Sequence, residues 1–515
     1  MSNLQYRQEK IQEKRKKTSW RDFVMELASW CPVNFYKIDG KISRYPNTPR
    51  TGELMPAKDF VEGGNGPMPF LDSDYKNFSE DIESLWNKII KPRIWTFGAV
   101  ENCDFSDTIG YGSKNCYLTI CAWEDIENIL YSFFVITKCN NVHNSLWVTD
   151  WCDNVYFGIG VTQSYNVFFS RYIYNSSDVR FSSNLQWCRD CLFCDGLLNQ
   201  SYCIKNIQYE KEEYFAKKKE VLMQKELFDE RRNDVARESI NIGSTNCSGM
   251  CVLRSENIEN GVFVNQVRDW RNLIIYGSGA PVTNSYDCLC SAMDSDHTYA
   301  NMWVAPWTFM YCSMNSGYLD HVYYSVYCQK CSYCFGCYWL RNKSYCIYNK
   351  QYSEEEWHEL IETIFAQMER DETLWSFFPP AINPFYFNDT VAYLIDPTFT
   401  KEEVESKWYL RRDEPIKVDI PPGVQTVKTS ELGQFEWRTA GTQFFASDQF
   451  ADGQKPVPTG ATWTINDEIL KKVILDEQWN AYRIIPMELE FLRKYELPLP
   501  RKHWLDRMKE NFRIN

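Results

Sequence analysis

Trp187-Cys188-Arg189-Asp190-Cys191-Leu192-Phe193-Cys194, then Ser201-Tyr202-Cys203-Ile204-Lys205-Asn206, Gln208-Tyr209 and Glu212-Glu213-Tyr214, form a stretch that the chain writes twice. It returns as Tyr327-Cys328-Gln329-Lys330-Cys331-Ser332-Tyr333-Cys334, then Ser344-Tyr345-Cys346-Ile347-Tyr348-Asn349, Gln351-Tyr352 and Glu355-Glu356-Trp357. So many identities in one order, with one three-residue length change between Cys194/Cys203 and Cys334/Cys346, make chance a poor explanation. The chain contains an internal duplication. Each copy closes a run of short repeats and hands over to charged text of helical character, so the pair marks where two similar half-structures end.

Working backward from the first copy, a small polar residue followed by alternating apolar ones recurs at Asn102, Asn115, Asn128, Asn141, Asn154, Asn166, Asp178 and Asp190, in steps of 13, 13, 13, 13, 12, 12 and 12. Such regularity predicts stacked coils. A twelve-residue coil is too narrow inside for Trp147, Tyr156 or Phe168, which predicts two repeats per coil of about 25 residues, one strand from each. The Asn residues then sit at corners, where they tolerate left-handed backbone and stack as amide ladders. A second, looser run follows through Asn246, Asn257, Asn272, Asp287 and Asn301 and ends at Cys328.

The fold class expected is mainly β: a right-handed parallel β-helix in two homologous segments, with capping helices and small α+β terminal pieces. The boundaries expected are an N-terminal loop and helix region (1–100), the first solenoid (101–207), a Lys/Glu-rich helical insertion (208–243), the second solenoid (244–350) and a capping helix (351–372). A Pro-rich strap (373–460) and a C-terminal piece (461–515) follow. Ser79 is a plausible cap for a helix to Ile90, and Ser353-Glu354-Glu355-Glu356 reads as a capping box for a helix that covers the open end of the last coil. Thr400, Asn466 and Pro486 read as further helix starts.

Composition bounds the function. A net charge of −13 opposes wholesale polyanion binding. No stretch of 18 apolar residues and no N-terminal apolar run occurs, so no membrane span and a cytoplasmic chain are expected. Twenty cysteines in a chain of 515 residues then read as reduced thiols or metal ligands. The strongest chemical spacing is Cys188, Cys191, Cys194 with Cys203, and Cys328, Cys331, Cys334, Cys337 with Cys346, which suits zinc or an iron–sulfur cluster. The competing reading, which we put first, is that these thiols fill small apolar coil positions, as Cys139 and Cys152 do without partners. For catalysis the best group is Asp294, Asp296 and His297, with Asp150 and Asp153 as a second carboxylate pair; paired carboxylates are what glycoside cleavage needs. No Walker A, GxGxxG, HExxH or GxSxG motif occurs.

Asn115-Cys116-Tyr117-Leu118, Cys334-Phe335-Gly336-Cys337, the run from Leu340 to Ile347, the run from Asn349 to Glu355 and Asn388-Asp389-Thr390-Val391-Ala392 resemble uncharacterised Cys/Asn-rich repeat proteins of small-genome candidate-phyla bacteria. The tail Tyr482-Arg483-Ile484-Ile485-Pro486, Glu488-Leu489-Glu490-Phe491 and Leu497-Pro498-Leu499-Pro500-Arg501 is similar to that family's terminal zinc-ribbon-like module. The CxxC pairs that the resemblance implies are missing: Cys31 stands alone at one end and no cysteine follows Cys346. The resemblance brings no activity with it. The function expected is a non-catalytic scaffold, assembly or binding protein that contacts a protein partner or itself through aromatic solenoid faces (Tyr156, Phe157, Phe168, Phe169, Tyr323, Tyr324). The alternatives are a carbohydrate-active β-helix enzyme, and an RNA- or ribosome-associated factor acting through residues 1–21 and 483–513.

Overall fold

The structure is a computed structural model that describes residues 9–11, 13–14, 18–56, 59, 69–75, 77–103, 105–222, 241–276, 283–289, 295–413, 420, 422–438 and 463–511. The chain divides into two compact units, Met1–Asp413 with Asn511–Asn515, and Glu414–Glu510.

The larger unit is built on a β-solenoid of about 17 turns across residues 96–347. In the first solenoid most strands pair in parallel with the next but one in sequence: Asn140–His143 lies between Glu127–Leu130 and Asp153–Tyr156, and Leu146–Thr149 between Phe133–Ile136 and Ile159–Thr162; in the second, longer strands such as Glu256–Asn265 and Arg268–Tyr276 pair with the next. Val142 stands opposite Val155 and Val155 opposite Val167, so a coil takes 13 residues and then 12, and carries two short strands. This corrects the expected 25-residue coil: one sequence repeat is one whole coil. The premise about width was sound, but the large rings lie outside. Trp147 packs on Phe263 of the second solenoid (5.3 Å), Tyr156 on Phe157 and Phe169, and Phe168 beneath the Arg180 guanidinium.

A ring this small closes because the backbone turns at every third residue. From Asn154 to Tyr202 each third residue has positive φ, bulky ones such as Phe169, Tyr172, Phe181 and Trp187 included. Left-handed backbone costs an L-residue about 1–2 kcal/mol, least for Asn, Asp and Gly. Each corner is offset by a rung to the coil before, as from the N–H of Phe169 to the Tyr156 carbonyl (2.8 Å) and of Phe181 to that of Phe168 (3.0 Å). The residue after each corner points inward. Val167, Ser170, Ile173 and Ser176 line one coil and Val179, Ser182, Leu185 and Cys188 the next, all buried. The interior therefore has two apolar walls and two of Ser or Cys. The serines complete the backbone ladder: the Ser170 hydroxyl donates to the Phe168 carbonyl (2.8 Å) and accepts from the Ser182 N–H one coil on (3.1 Å).

The change from 13 to 12 residues has a visible cause. Tyr111/Gly112, Glu124/Asp125, Thr137/Lys138 and Asp150/Trp151 each place two successive residues at positive φ on the same corner, whereas the next coil turns there on Gln163 alone. Along another corner runs the expected amide ladder: Asn102 donates to Asn115 (3.0 Å), Asn115 to Asn128 (3.1 Å), Asn128 to Asn141 (3.2 Å), Asn141 to Asn154 (3.2 Å) and Asn154 to Asn166 (3.0 Å). It ends on Asp178, an acceptor that takes the last amide N–H (2.9 Å). The second solenoid has its own rungs, from Asn246 to Asn257 to Asp269 and from Asn260 to Asn272 to Asp287.

The duplicated stretch is the terminator. After Ile204 and after Ile347 the chain reverses through two left-handed residues, Lys205/Asn206 and Tyr348/Asn349, and pairs back antiparallel on the last strand, Cys203 with Gln208 and Cys346 with Gln351. Gln208 Nε2 donates to the Ser201 carbonyl (3.1 Å) as Gln351 Nε2 does to that of Ser344 (3.2 Å). The reversal occupies a strand edge that would otherwise template aggregation. The Glu354–Arg370 helix, with its capping box on Ser353, was expected to cover the end. It touches the last coil through Trp357, whose indole donates to the Cys346 carbonyl (3.3 Å), and otherwise lies along the flank, with Phe365 against Tyr323 and Phe335. The first solenoid receives the Lys211–Leu222 helix in the same way, through Tyr214; the rest of the expected helical insertion lies outside the described residues.

The two solenoids lie side by side with opposite directions. Trp95, at the start of the first, meets Tyr327 near the end of the second (5.6 Å), Trp147 meets Phe263, and Tyr174 lies under Arg254 (5.0 Å). The helix read as starting at Ser79 is Phe78–Lys88, capped by Asn77, whose side chain accepts from the Glu80 N–H; Phe78 packs on Tyr324 (4.6 Å). In the smaller unit Thr426–Lys428, Val473–Leu475 and Ala481–Tyr482 form a three-stranded sheet. Asn466 and Pro486 open helices there as expected. Arg507 and Glu488 make a fully buried ion pair at 2.9 Å.

Candidate functional site

Because every corner residue is held by backbone rungs, side chains on one corner of successive coils form a straight, evenly spaced column. One such column on the first solenoid is Trp151, Gln163, Asn175, Trp187 and Asn199, all at positive φ. Their N–H groups donate in turn to the carbonyls of Thr137, Thr149, Thr162, Tyr174 and Gln186 at 2.9–3.2 Å. Unlike the corner carrying Phe169, Phe181 and Phe193, which stack at 4.9–5.0 Å and meet the Lys211–Leu222 helix, this one faces outward. Trp151 is 60% exposed and Trp187 49%. Beside it runs the column Asp153, Tyr165, Ser177, Arg189, where parallel pairing sets Tyr165 opposite Ser177 and Ser177 opposite Arg189.

Ser177 is the small residue between two large ones, and the gap above it is a notch of about 290 Å3. Gln163, Tyr165, Asn175, Trp187 and Arg189 form its rim. Trp187 is fixed by an edge-on contact with Tyr174 (5.6 Å, 85°), and Lys138 Nζ lies 6.0 Å from the Trp151 ring centre. The notch offers two exposed rings, two amides, one guanidinium, the hydroxyls of Ser176 and Ser177 and the Cys188 thiol on a rigid frame. That set binds polar ligands with apolar faces.

Sequence reasoning missed this strip and chose other aromatic faces. Tyr156, Phe168, Tyr323 and Tyr324 are buried, and Phe157 and Phe169 half-buried, because the second solenoid, the helices and the N-terminal region cover those sides. The signal for the strip was a twelve-residue recurrence of large and amide side chains at 151, 163, 175, 187 and 199, offset from the Asn ladder that dominated the repeat.

The cysteines of the two clusters occupy inward positions and are all buried, whereas Cys121, Cys251 and Cys312 stand at left-handed corners and Cys31 precedes the solenoid. In the second solenoid Cys328, Cys331, Cys334 and Cys337 supply all four inward positions of one coil, with Cys346 opposite Cys334 one coil on. The thiols donate to backbone carbonyls, Cys331 to Leu340 (3.4 Å) and Cys194 to Cys203 (3.4 Å) among them. They also touch one another: hydrogen bonds from Cys191 hold the thiols of Cys188 and Cys194 below the usual range, while those bonds and burial keep Cys191 protonated. In the second cluster the polarity is reversed. Cys331, accepting from Cys328 and Cys334, is lowered, and so is Cys346, through its hydrogen bond with Cys334. Among the described residues no group of three or more His, Cys, Asp or Glu is disposed to hold a metal ion.

Of the catalytic candidates, Asp294 lies outside the described residues, while Asp296 and His297 fall in the strand Ser295–Tyr299, where the backbone of Asp296 pairs with Thr283 and Thr308. Asp150 and Asp153 do not form a carboxylate pair. Asp150 is raised above the usual carboxylate range by burial, opposed by the Thr149 hydroxyl and the Arg254 guanidinium, whereas Asp153 accepts from the ladder amides of Asn141 and Asn154. Several basic residues at both ends are paired within their own units. Lys10 meets Glu13 and Glu369, and Arg21 meets Asp396 and Glu403. Arg493 meets Asp467, Arg501 meets Glu436 and Lys509 meets Asp506. Residues 1–8, 12 and 15–17 of the N-terminal basic stretch lie outside the described residues.

No helix among the described residues is long and apolar enough to cross a membrane. No protein-family model, curated protein or solved structure matches the chain.

Proposed function

We propose that the chain is a non-catalytic binding scaffold whose working surface is the Trp151–Asn199 corner of the first solenoid with its flanking Tyr165 and Arg189. The observation that supports this reading is exposure in register: one column keeps Trp151 and Trp187 open, with Trp187 on the rim of a notch lined by amides. Large exposed aromatic side chains gathered on a rigid surface mark recognition sites. The carbohydrate-active alternative rests on Asp294, Asp296 and His297. The RNA alternative has less support, since several described basic residues at both ends, Arg21, Arg493 and Arg501 among them, already face acids.

The test is a photo-crosslinking residue at position 175 of the full chain, exposed to native extract, with Trp187→Ala in the same background as control. One reproducible adduct class that disappears with Trp187→Ala is the expected result. Adducts that ignore Trp187 would overturn the reading. Turnover of a glycan panel that is abolished by Asp296→Asn would put the enzyme in its place.

A further inference from the structure

We infer that the Trp151–Trp187 corner is a binding strip for an extended neutral glycan, a proposal that rests on the binding reading above and names its ligand class. Four features of the corner argue for it together. The first is chemistry: a sugar ring has an apolar C–H face and a rim of hydroxyls that both donate and accept. Exposed Trp and Tyr rings take the face and shed water, while Asn, Gln and Arg take pairs of hydroxyls. Trp151, Tyr165 and Trp187 supply the rings, and Gln163, Asn175 and Arg189 the pairing groups.

The second is spacing. Neighbouring coils are separated by the interstrand distance of about 4.8 Å, so Trp151 and Trp187, three coils apart, stand about 14 Å from each other with both amides between them. A strip of this length suits several sugar units in a row better than one compact ligand. The notch over Ser177, about 290 Å3, falls just below the pocket range of about 300–1,000 Å3 and has room for a single unit of the strand.

The third is charge. A polyanion needs a cluster of Lys and Arg, and the strip has Arg189 and Lys138 only, on a chain of net charge −13. Asp153 beside it is occupied by ladder amides. The surface is near neutral, which disfavours nucleic acid and acidic polysaccharides and leaves an uncharged polyol. The fourth is rigidity. Corner rungs of 2.9–3.2 Å hold every backbone position, and Tyr174 holds the Trp187 ring edge-on, so little side-chain freedom is lost on binding.

The experiment is affinity electrophoresis of the full chain through native gels containing hydroxyethyl cellulose, xyloglucan, glucomannan or soluble starch, with polygalacturonate and alginate as anionic counterparts. At least one neutral polymer should retard the protein and the anionic ones should not. Trp187→Ala should weaken the retardation at least tenfold and Asn175→Ala by a smaller factor, while Trp408→Ala, an exposed tryptophan elsewhere in the unit, leaves it unchanged. Circular dichroism of each variant keeps misfolding from passing as loss of binding. No retardation by any neutral polymer, or equal retardation of Trp187→Ala and wild type, overturns the glycan proposal. A Trp187-dependent protein adduct at position 175 would then leave the binding reading standing, and loss of both would end both.

Discussion

Replacing Ser176 by Ala tests whether the inner hydroxyls complete the backbone ladder. The Ser176 hydroxyl donates to the Tyr174 carbonyl (2.8 Å) and accepts from the Cys188 N–H one coil on (2.9 Å), and the site is buried. The Tyr174 carbonyl also accepts from the Trp187 N–H (3.1 Å), so it keeps a partner in the variant. The Cys188 N–H has no such reserve and becomes a buried unsatisfied donor, at about 1–3 kcal/mol. Where exchange follows local opening, that is about fivefold to 150-fold faster hydrogen exchange at the Cys188 amide. Ser176→Cys should recover part of the loss, because thiols already occupy this column at Cys152 and Cys188, and Cys152 Sγ accepts from the Ser164 N–H at 3.5 Å. The assay is native-state exchange read by mass spectrometry on a peptide spanning Cys188, with a peptide around Val135 as internal reference. Unchanged Cys188 protection in Ser176→Ala, against an unchanged reference, would refute the reasoning.

The inner thiols of both clusters should resist iodoacetamide in the folded protein and label on unfolding, with half-buried Cys247 labelling first; rapid native labelling of Cys331 would contradict its place inside the coil. Burial, reinforced by the Arg507 guanidinium, lowers His503 to about 4, and its Nδ1 accepts from the Leu505 N–H, as a neutral ring must. An unfolded histidine titrates near 6.5, so between these values the unfolded chain holds the extra proton and stability rises with pH. The penalty is absent above about 6.5 and grows as pH falls toward 4, to at most about 3 kcal/mol; His503→Gln should flatten a pH series of melting curves over that window. Arg507→Met should cost about 3–5 kcal/mol by leaving Glu488 buried without its cation, and adding Glu488→Leu should restore most of it in chemical denaturation.

Much of the fold was legible because the corners are chemically demanding. Asn102 through Asn166 announce left-handed turns, amide ladders and the exact point where 13 residues become 12. Coil size was misread because Trp147, Tyr156 and Phe168 are as buried as any core residue, and sequence does not distinguish burial inside a coil from burial between a coil and its neighbour. The three-residue rhythm of Val167, Ser170, Ile173 and Ser176 carries the coil size, but the twelve-residue Asn recurrence is the stronger pattern in the text. The strip was illegible for a related reason. Trp187 and Phe181 occupy equivalent corners of adjoining sides, and only long-range packing decides that Phe181 is covered and Trp187 open.

Two homologous solenoids of opposite direction, pressed flank to flank in one chain, can be compared with a two-fold dimer of separate chains, whose contact is isologous. In such a dimer every substitution is made twice and must suit its own image across the axis. Once the copies share one chain that constraint lapses, and Trp147 can be fitted to Phe263 without a matching pair elsewhere. The outward sides are released too: one copy can specialise its free corner while the other serves as a brace, so the duplication lets two similar halves carry a one-sided surface.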